Sequence, residues 1–136
     1  MQVLKNPALR LRTLLWLVAA HSAGVGLGLI LHPASILSQA GYAPVSEPFF
    51  PVQGGVFHLV MALGYSIAAV DPLRHRSLVI FAILVKCVAT VFLVVYWLAA
   101  GHLLVVLASG IMDGFMAALL AMATVSWDRA REKGMS

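Results

Sequence analysis

The chain is poor in charge. Only 10% of its 136 residues are Asp, Glu, Lys or Arg, against 62% that are hydrophobic. An ordinary soluble domain carries about 25% charged residues, so a water-exposed globular surface is excluded over most of the length. Acid is the scarcest charge: of the five Asp and Glu, only Asp113 lies inside an apolar run. A carboxylate-rich metal site of the Glu-x-x-His kind is therefore excluded, and we expect no metal. The single cysteine, Cys87, sits in an apolar run, which removes both a disulfide framework and a thiolate metal cage. No Gly-rich phosphate loop and no nucleophile–base–orienter set is present, so no catalytic residue is assigned.

What fills the chain is long apolar runs. Mean hydropathy is +0.97. A helix rises ~1.5 Å per residue, so about 20 apolar residues cross a bilayer core. Four segments qualify, at about 13–31, 50–70, 77–100 and 103–127. They lack the alternation of barrel strands and are too long for single strands. The expectation is an all-α protein, an integral membrane bundle of four transmembrane helices in a single domain. The first run has the basic flank of a signal peptide in Lys5, Arg10 and Arg12, with residues 14–20 as its apolar region. It continues to Leu31, so we read it as a retained span.

Basic residues give the orientation. Of nine Lys and Arg, only Lys86 lies within an apolar run. The other eight flank the first span, occupy the loop after the second, or follow the fourth. The remaining two loops have none. The positive-inside rule then places both termini in the cytoplasm, and the net charge of +4 reflects topology rather than affinity for nucleic acid. Trp16 and Trp127 mark the inner edges of the spans, and Tyr42, Phe49, Tyr96 and Trp97 the outer ones. The loop 32–49 is punctuated by proline. Residues 34–40 either form a short helix with Ile36 and Leu37 in the interface or lie passively on the headgroups. Asp71-Pro72 starts a tight turn with a basic rim.

Ionisable groups within the spans stand out, because a charge at mid-bilayer costs several kcal/mol. Counting from the span ends puts His21, His58, Lys86 and Asp113 within the middle third of a ~30 Å core. Lys86 and Asp113, on adjacent antiparallel spans, are expected to pair. The pair is either a structural tie or part of a site. Helical spacing aligns His21 with Gly24 and Gly28, and His58 with Gly54, Ala62 and Tyr65. Gly110 and Gly114 lie beside Asp113. Gly24, Gly28, Gly110 and Gly114 are expected at helix contacts, where small residues let backbones approach. The same spacing in Gly110 and Gly114 also suits a homo-oligomer.

His21, His58, Tyr65, Lys86 and Asp113 are the candidate ligand-binding set. They would supply polar contacts in an apolar cavity to a quinone or another lipophilic small molecule bearing a carbonyl. Two mid-span histidines would also suit axial ligation of haem, and His, Lys and Asp at this depth would suit a proton-coupled carrier or channel. The leading expectation is a non-catalytic accessory or ligand-binding membrane protein, alone or in a larger membrane complex.

Two stretches carry a resemblance. GLGLILHPASILSQAGY (26–42) has a proline and a later glycine after the first span. GYSIAAVDPLRHRSLVIFAILVK (64–86) has Asp71-Pro72, then Arg74-His75-Arg76, then Lys86. Together they resemble small four-helix bacterial membrane proteins of the broad DoxX-like kind. That resemblance implies the bacterial inner membrane and an association with a quinone-linked oxidoreductase. It maps no catalytic residue onto this chain.

Overall fold

Proline and glycine set the helix ends, and the helices follow from them. The computed structural model describes residues 6–44 and 46–134, so Lys5 lies outside the described residues. Among the described residues there are five α-helices: α1 (Pro7–Leu31), α2 (Pro33–Gln39), α3 (Phe49–Val70), α4 (Arg76–Tyr96) and α5 (Leu104–Glu132). A π-helical turn, Trp97–Gly101, continues α4. No strand occurs among the described residues. The four long helices, counting that turn with α4, are long and apolar enough to cross a membrane.

α1 begins earlier than its apolar run. The Asn6 side chain accepts a hydrogen bond from the Leu9 amide, and Pro7 occupies the first turn. Both are N-terminal signals that act without hydrophobicity. Pro33 has no N–H to give and would clash one turn back, so α1 stops at Leu31 and α2 starts at once. Residues 34–39 are thus helical, with Ala40 as the C-cap, and Ile36 packs where a Cβ on Gly28 would sit. Gly41 takes a positive φ of 85° and the Tyr42 amide bonds back to the Leu37 carbonyl, a Schellman-type reversal that glycine makes cheap. α3 ends at Asp71-Pro72 as expected. The residue before a proline favours extended backbone, and Asp71 Oδ1 accepts from the amides of Leu73 and Arg74.

α1 packs along α3 and α4 along α5, with further contacts of α1 on α5 and α3 on α4. The long helices therefore form a ring in the order α1, α3, α4, α5. Two polar ties fix the end that carries the termini, here the basic end. Arg12 Nε donates to the Ala69 carbonyl at 3.1 Å, where the last turn of α3 has unpaired carbonyls and partial negative charge. Arg76 makes a bidentate pair with Asp128, at 2.6 and 2.8 Å, joining the start of α4 to the end of α5. Each tie joins the start of one helix to the end of another, so both pairs are antiparallel.

The core fills the basic half of the ring. Leu11, Leu15 and Val18 of α1, Tyr65 and Ala68 of α3, Val79 and Ala82 of α4, and Leu120 and Ala123 of α5 form one buried cluster. Much of it is alanine, which lets apolar helices approach without a hydrophobic force between them. Trp127 belongs to this cluster rather than to an exposed edge, whereas Trp16 is exposed.

Glycine contacts depart from the expected stripe. Gly24 faces open space. The close approach of α1 to α3 falls on Gly26 and Gly55, where an added Cβ would lie 2.8 Å from the Gly55 carbonyl oxygen or 2.7 Å from that of Gly26. Gly28 meets α2 rather than a long helix. Gly110 and Gly114 do sit at a long-helix contact, against Leu93 and Thr90 of α4. A three-and-four spacing marks a stripe but not its rotation towards a neighbour, and α1 is turned so that 22 and 26 face inward.

Candidate functional site

Just above the apolar core, towards the α2 end, each long helix carries one ionisable residue. On α1 it is His21, three residues beyond buried Val18. On α3 it is His58, one turn before buried Ala62. On α4 it is Lys86, one turn beyond buried Ala82. On α5 it is Asp113, three residues before buried Met116. This spacing makes a polar tier resting on an apolar floor.

Lys86 and Asp113 pair across the α4–α5 contact. Lys86 Nζ donates to Asp113 Oδ1 at 2.5 Å, with side chains only 4% and 13% exposed. Thr90 reinforces α4 by donating to the Lys86 carbonyl at 2.7 Å, the back-bonding that hydroxyls make in apolar helices. The lysine is the more deeply buried partner. The carboxylate keeps contact with the space beyond.

That space is a cavity of about 650 Å³ reached by all four long helices. Its polar lining is His21, His58, Ser109, Asp113 and Tyr42. Its walls are apolar, from Val25 and Leu29 of α1, Phe92 and Leu93 of α4, and Val106 and Met112 of α5. His21, Ser109 and Met112 are exposed, so the cavity is open along the α1 and α5 side. The Gly41 reversal brings Tyr42 to its α2 end. Burial, and secondarily the neighbouring Tyr96, push the Tyr42 phenol above its ordinary pKa, so it stays a neutral donor at physiological pH.

Of the expected set, His21, His58 and Asp113 meet at one cavity, and Lys86 reaches it through Asp113. Tyr65 does not line it. It is 1% exposed, within the core cluster, because it stands two helical turns from His58 where the ring has closed. Tyr42 and Ser109 are lining groups that the expected set lacks. Tyr42 lies in an irregular loop where periodicity gives no placement. Ser109 stacks with Asp113 one turn away, a readable signal that points to the same face. Among the described residues no three His, Cys, Asp or Glu side chains group as metal ligands.

A different apolar groove runs along α4 through Cys87, Val91, Val95 and Tyr96. It is the surface of a single helix and brings no ionisable groups together from separate elements. Comparison with models of known families, with characterised proteins and with solved structures finds no match. Nothing there bears on the DoxX-like resemblance, and the site is read from its own chemistry.

Proposed function

We propose that this chain is a multi-pass protein of the bacterial inner membrane, with both termini cytoplasmic, that binds one neutral lipophilic small molecule in the cavity above the Lys86–Asp113 pair. The observation that carries the reading is the cavity itself: about 650 Å³, apolar on its walls, with two imidazoles and a carboxylate at one end. Ligand sites are typically ~300–1,000 Å³ with few, well-placed polar groups. The one-sided basic residues support the orientation, and the DoxX-like resemblance suggests the membrane.

The chemistry narrows the ligand. Lys86 bonds Asp113 Oδ1 and offsets its charge, so the site does not call for a cation. The carboxylate offers a further acceptor oxygen, and a neutral imidazole offers one N–H. A head group that accepts from His21 or His58 and donates towards Asp113 fits this arrangement. So does a quinone, with one carbonyl accepting from an imidazole and the other from the Tyr42 hydroxyl at the α2 end. The tail lies against Leu29, Phe92 and Met112. The role is binding, with no bond made or broken.

The test is extraction. Protein purified in mild detergent is stripped with organic solvent, and the extract is identified by mass spectrometry beside a Val25→Trp variant that fills the cavity. A lipophile near one per chain, lost in the variant, is expected. Identical extracts holding only bulk lipid refute the reading. A Soret band in the purified protein replaces it with haem held by the two histidines.

A further inference from the structure

A second pocket lies between α1 and α5 at the basic end, separated from the cavity by the core. It encloses about 500 Å³. Leu14 of α1 and Leu119, Met122 and Val125 of α5 form its floor, and Arg10 and Arg129 stand at its rim. Apolar floor and cationic rim are stacked along the helix axis, since Arg10 and Leu14 are one turn apart, as are Val125 and Arg129.

Three of the arginines at this end are held by neighbours. Arg76 is held by Asp128. Arg131 stacks over Trp127, 5.5 Å from the ring centre. Arg12 is spent on the Ala69 carbonyl. Among the described residues no acid lines the groove, and the nearby Glu132 lies with Arg76, Asp128 and Arg131 in a separate depression. Ser126, also in the groove, donates to the Met122 carbonyl. Arg129 makes no side-chain bond among the described residues. The groove thus pairs a cation that no described side chain compensates, Arg129, with apolar surface, the complement of an anionic head carrying an acyl chain.

We propose that this α1–α5 groove binds an anionic phospholipid of the cytoplasmic leaflet. Its phosphate sits at Arg129, at the rim that Arg10 shares, and one acyl chain lies along Leu14, Leu119 and Met122. The proposal rests on the membrane reading above. It is distinct from the cavity ligand, which is neutral and bound at the opposite end.

Native mass spectrometry of the detergent-purified chain tests it, with phosphatidylglycerol or phosphatidylcholine of matched acyl length added. Phosphatidylglycerol is expected to be retained preferentially. Arg129→Gln should lower its retention about fivefold, the weight of one interfacial cation. Met122→Trp, which blocks the floor, should lower it as well, while Arg74→Gln, outside the groove, should leave it unchanged. Equal retention of the two lipids overturns the proposal, as does wild-type retention by both Arg129→Gln and Met122→Trp. Displacement by millimolar inorganic phosphate overturns it in favour of a free-anion site. Alkaline carbonate treatment of membranes separates the two readings. A chain that stays in the pellet yet shows no lipid preference loses the groove and keeps the membrane assignment; a chain that is released loses both.

Discussion

Removing Asp113 should harm this protein more than removing Lys86, and removing both should harm it less than removing Asp113 alone. The geometry sets the order. Asp113→Leu leaves the ammonium of Lys86, 4% exposed, without its carboxylate; Lys86→Met leaves Asp113, 13% exposed and lining the cavity. Breaking a buried pair by taking one partner commonly costs about 3–5 kcal/mol. An ordinary amine stripped of its counter-ion can instead shed its proton, at roughly 4–5 kcal/mol near neutral pH, which puts a ceiling on the loss. Asp113→Leu is therefore placed near 4 kcal/mol, roughly a thousandfold in the folding equilibrium. Lys86→Met belongs nearer the lower figure, because cavity water can solvate the orphaned carboxylate. The double variant exchanges the pair for apolar side chains of similar reach, which is often close to neutral. Reversible unfolding of all four proteins in mixed micelles closes the cycle. A coupling of about 2 kcal/mol or more is expected. Additive losses would show that the two residues act separately and that the polar tier has no common centre. If the double variant recovers its fold but has lost the extracted lipophile, the carboxylate is a ligand contact as well as a tie.

Other outcomes follow from particular contacts. Gly26→Ala and Gly55→Ala should each lower thermal stability in detergent by about 1–3 kcal/mol, since the added methyl meets a facing carbonyl within 3 Å and overpacking costs that much. Gly24→Ala meets open space and should be neutral or slightly stabilising, helix propensity favouring alanine by ~1 kcal/mol; equal losses at all three positions would contradict the observed rotation of α1. A cysteine at Ser46 should react with impermeant maleimide from outside the cell while reporters at either terminus read cytoplasmic, and termini on opposite sides would refute the four-span reading.

How far the sequence leads depends on which physical signal is asked for. The number and order of the four long helices were legible because apolar length is a one-dimensional quantity. The Asp71-Pro72 stop was legible because proline acts on its own neighbours. The Lys86–Asp113 contact was legible because opposite charges at matched depth in adjacent antiparallel helices have few other partners. The helix ends at the basic side were less so: α1 begins at Pro7 and α5 runs to Glu132, past their apolar runs, because caps and backbone bonding do not stop where hydropathy does. Rotation about the helix axis was not legible on α1. The stripe 21, 24, 28 and the inward set 22 and 26 differ by one or two residues, and only the facing Gly55 decides between them. Tyr65 shows the same limit along the axis. It shares a face with His58 but not a depth, and two turns separate a cavity group from a core group.

The vertical order of the bundle also bears on what a polar tier of this kind can do. Beneath it, towards the basic end, the ring is closed by Leu15, Val18, Tyr65, Val79 and Leu120, all at 0–3% exposure. An ion or proton leaving Asp113 in that direction meets close-packed side chains whose polar groups are the hydroxyls of Tyr65, Ser22 and Thr124, the last bonded to the Leu120 carbonyl. Conduction would require the α1–α5 seam to part, which means separating the core residues that hold α1 on α5 and exposing them together. Filling the cavity asks for no such motion. Its opening already lies on the α1 and α5 side, and the Lys86–Asp113 bond remains intact beneath the ligand. The closed packing of the basic half is consistent with the binding site we propose. It also fits where the buried Lys86–Asp113 pair sits: high enough for its carboxylate to face the cavity, and low enough for its ammonium to be sealed by the core.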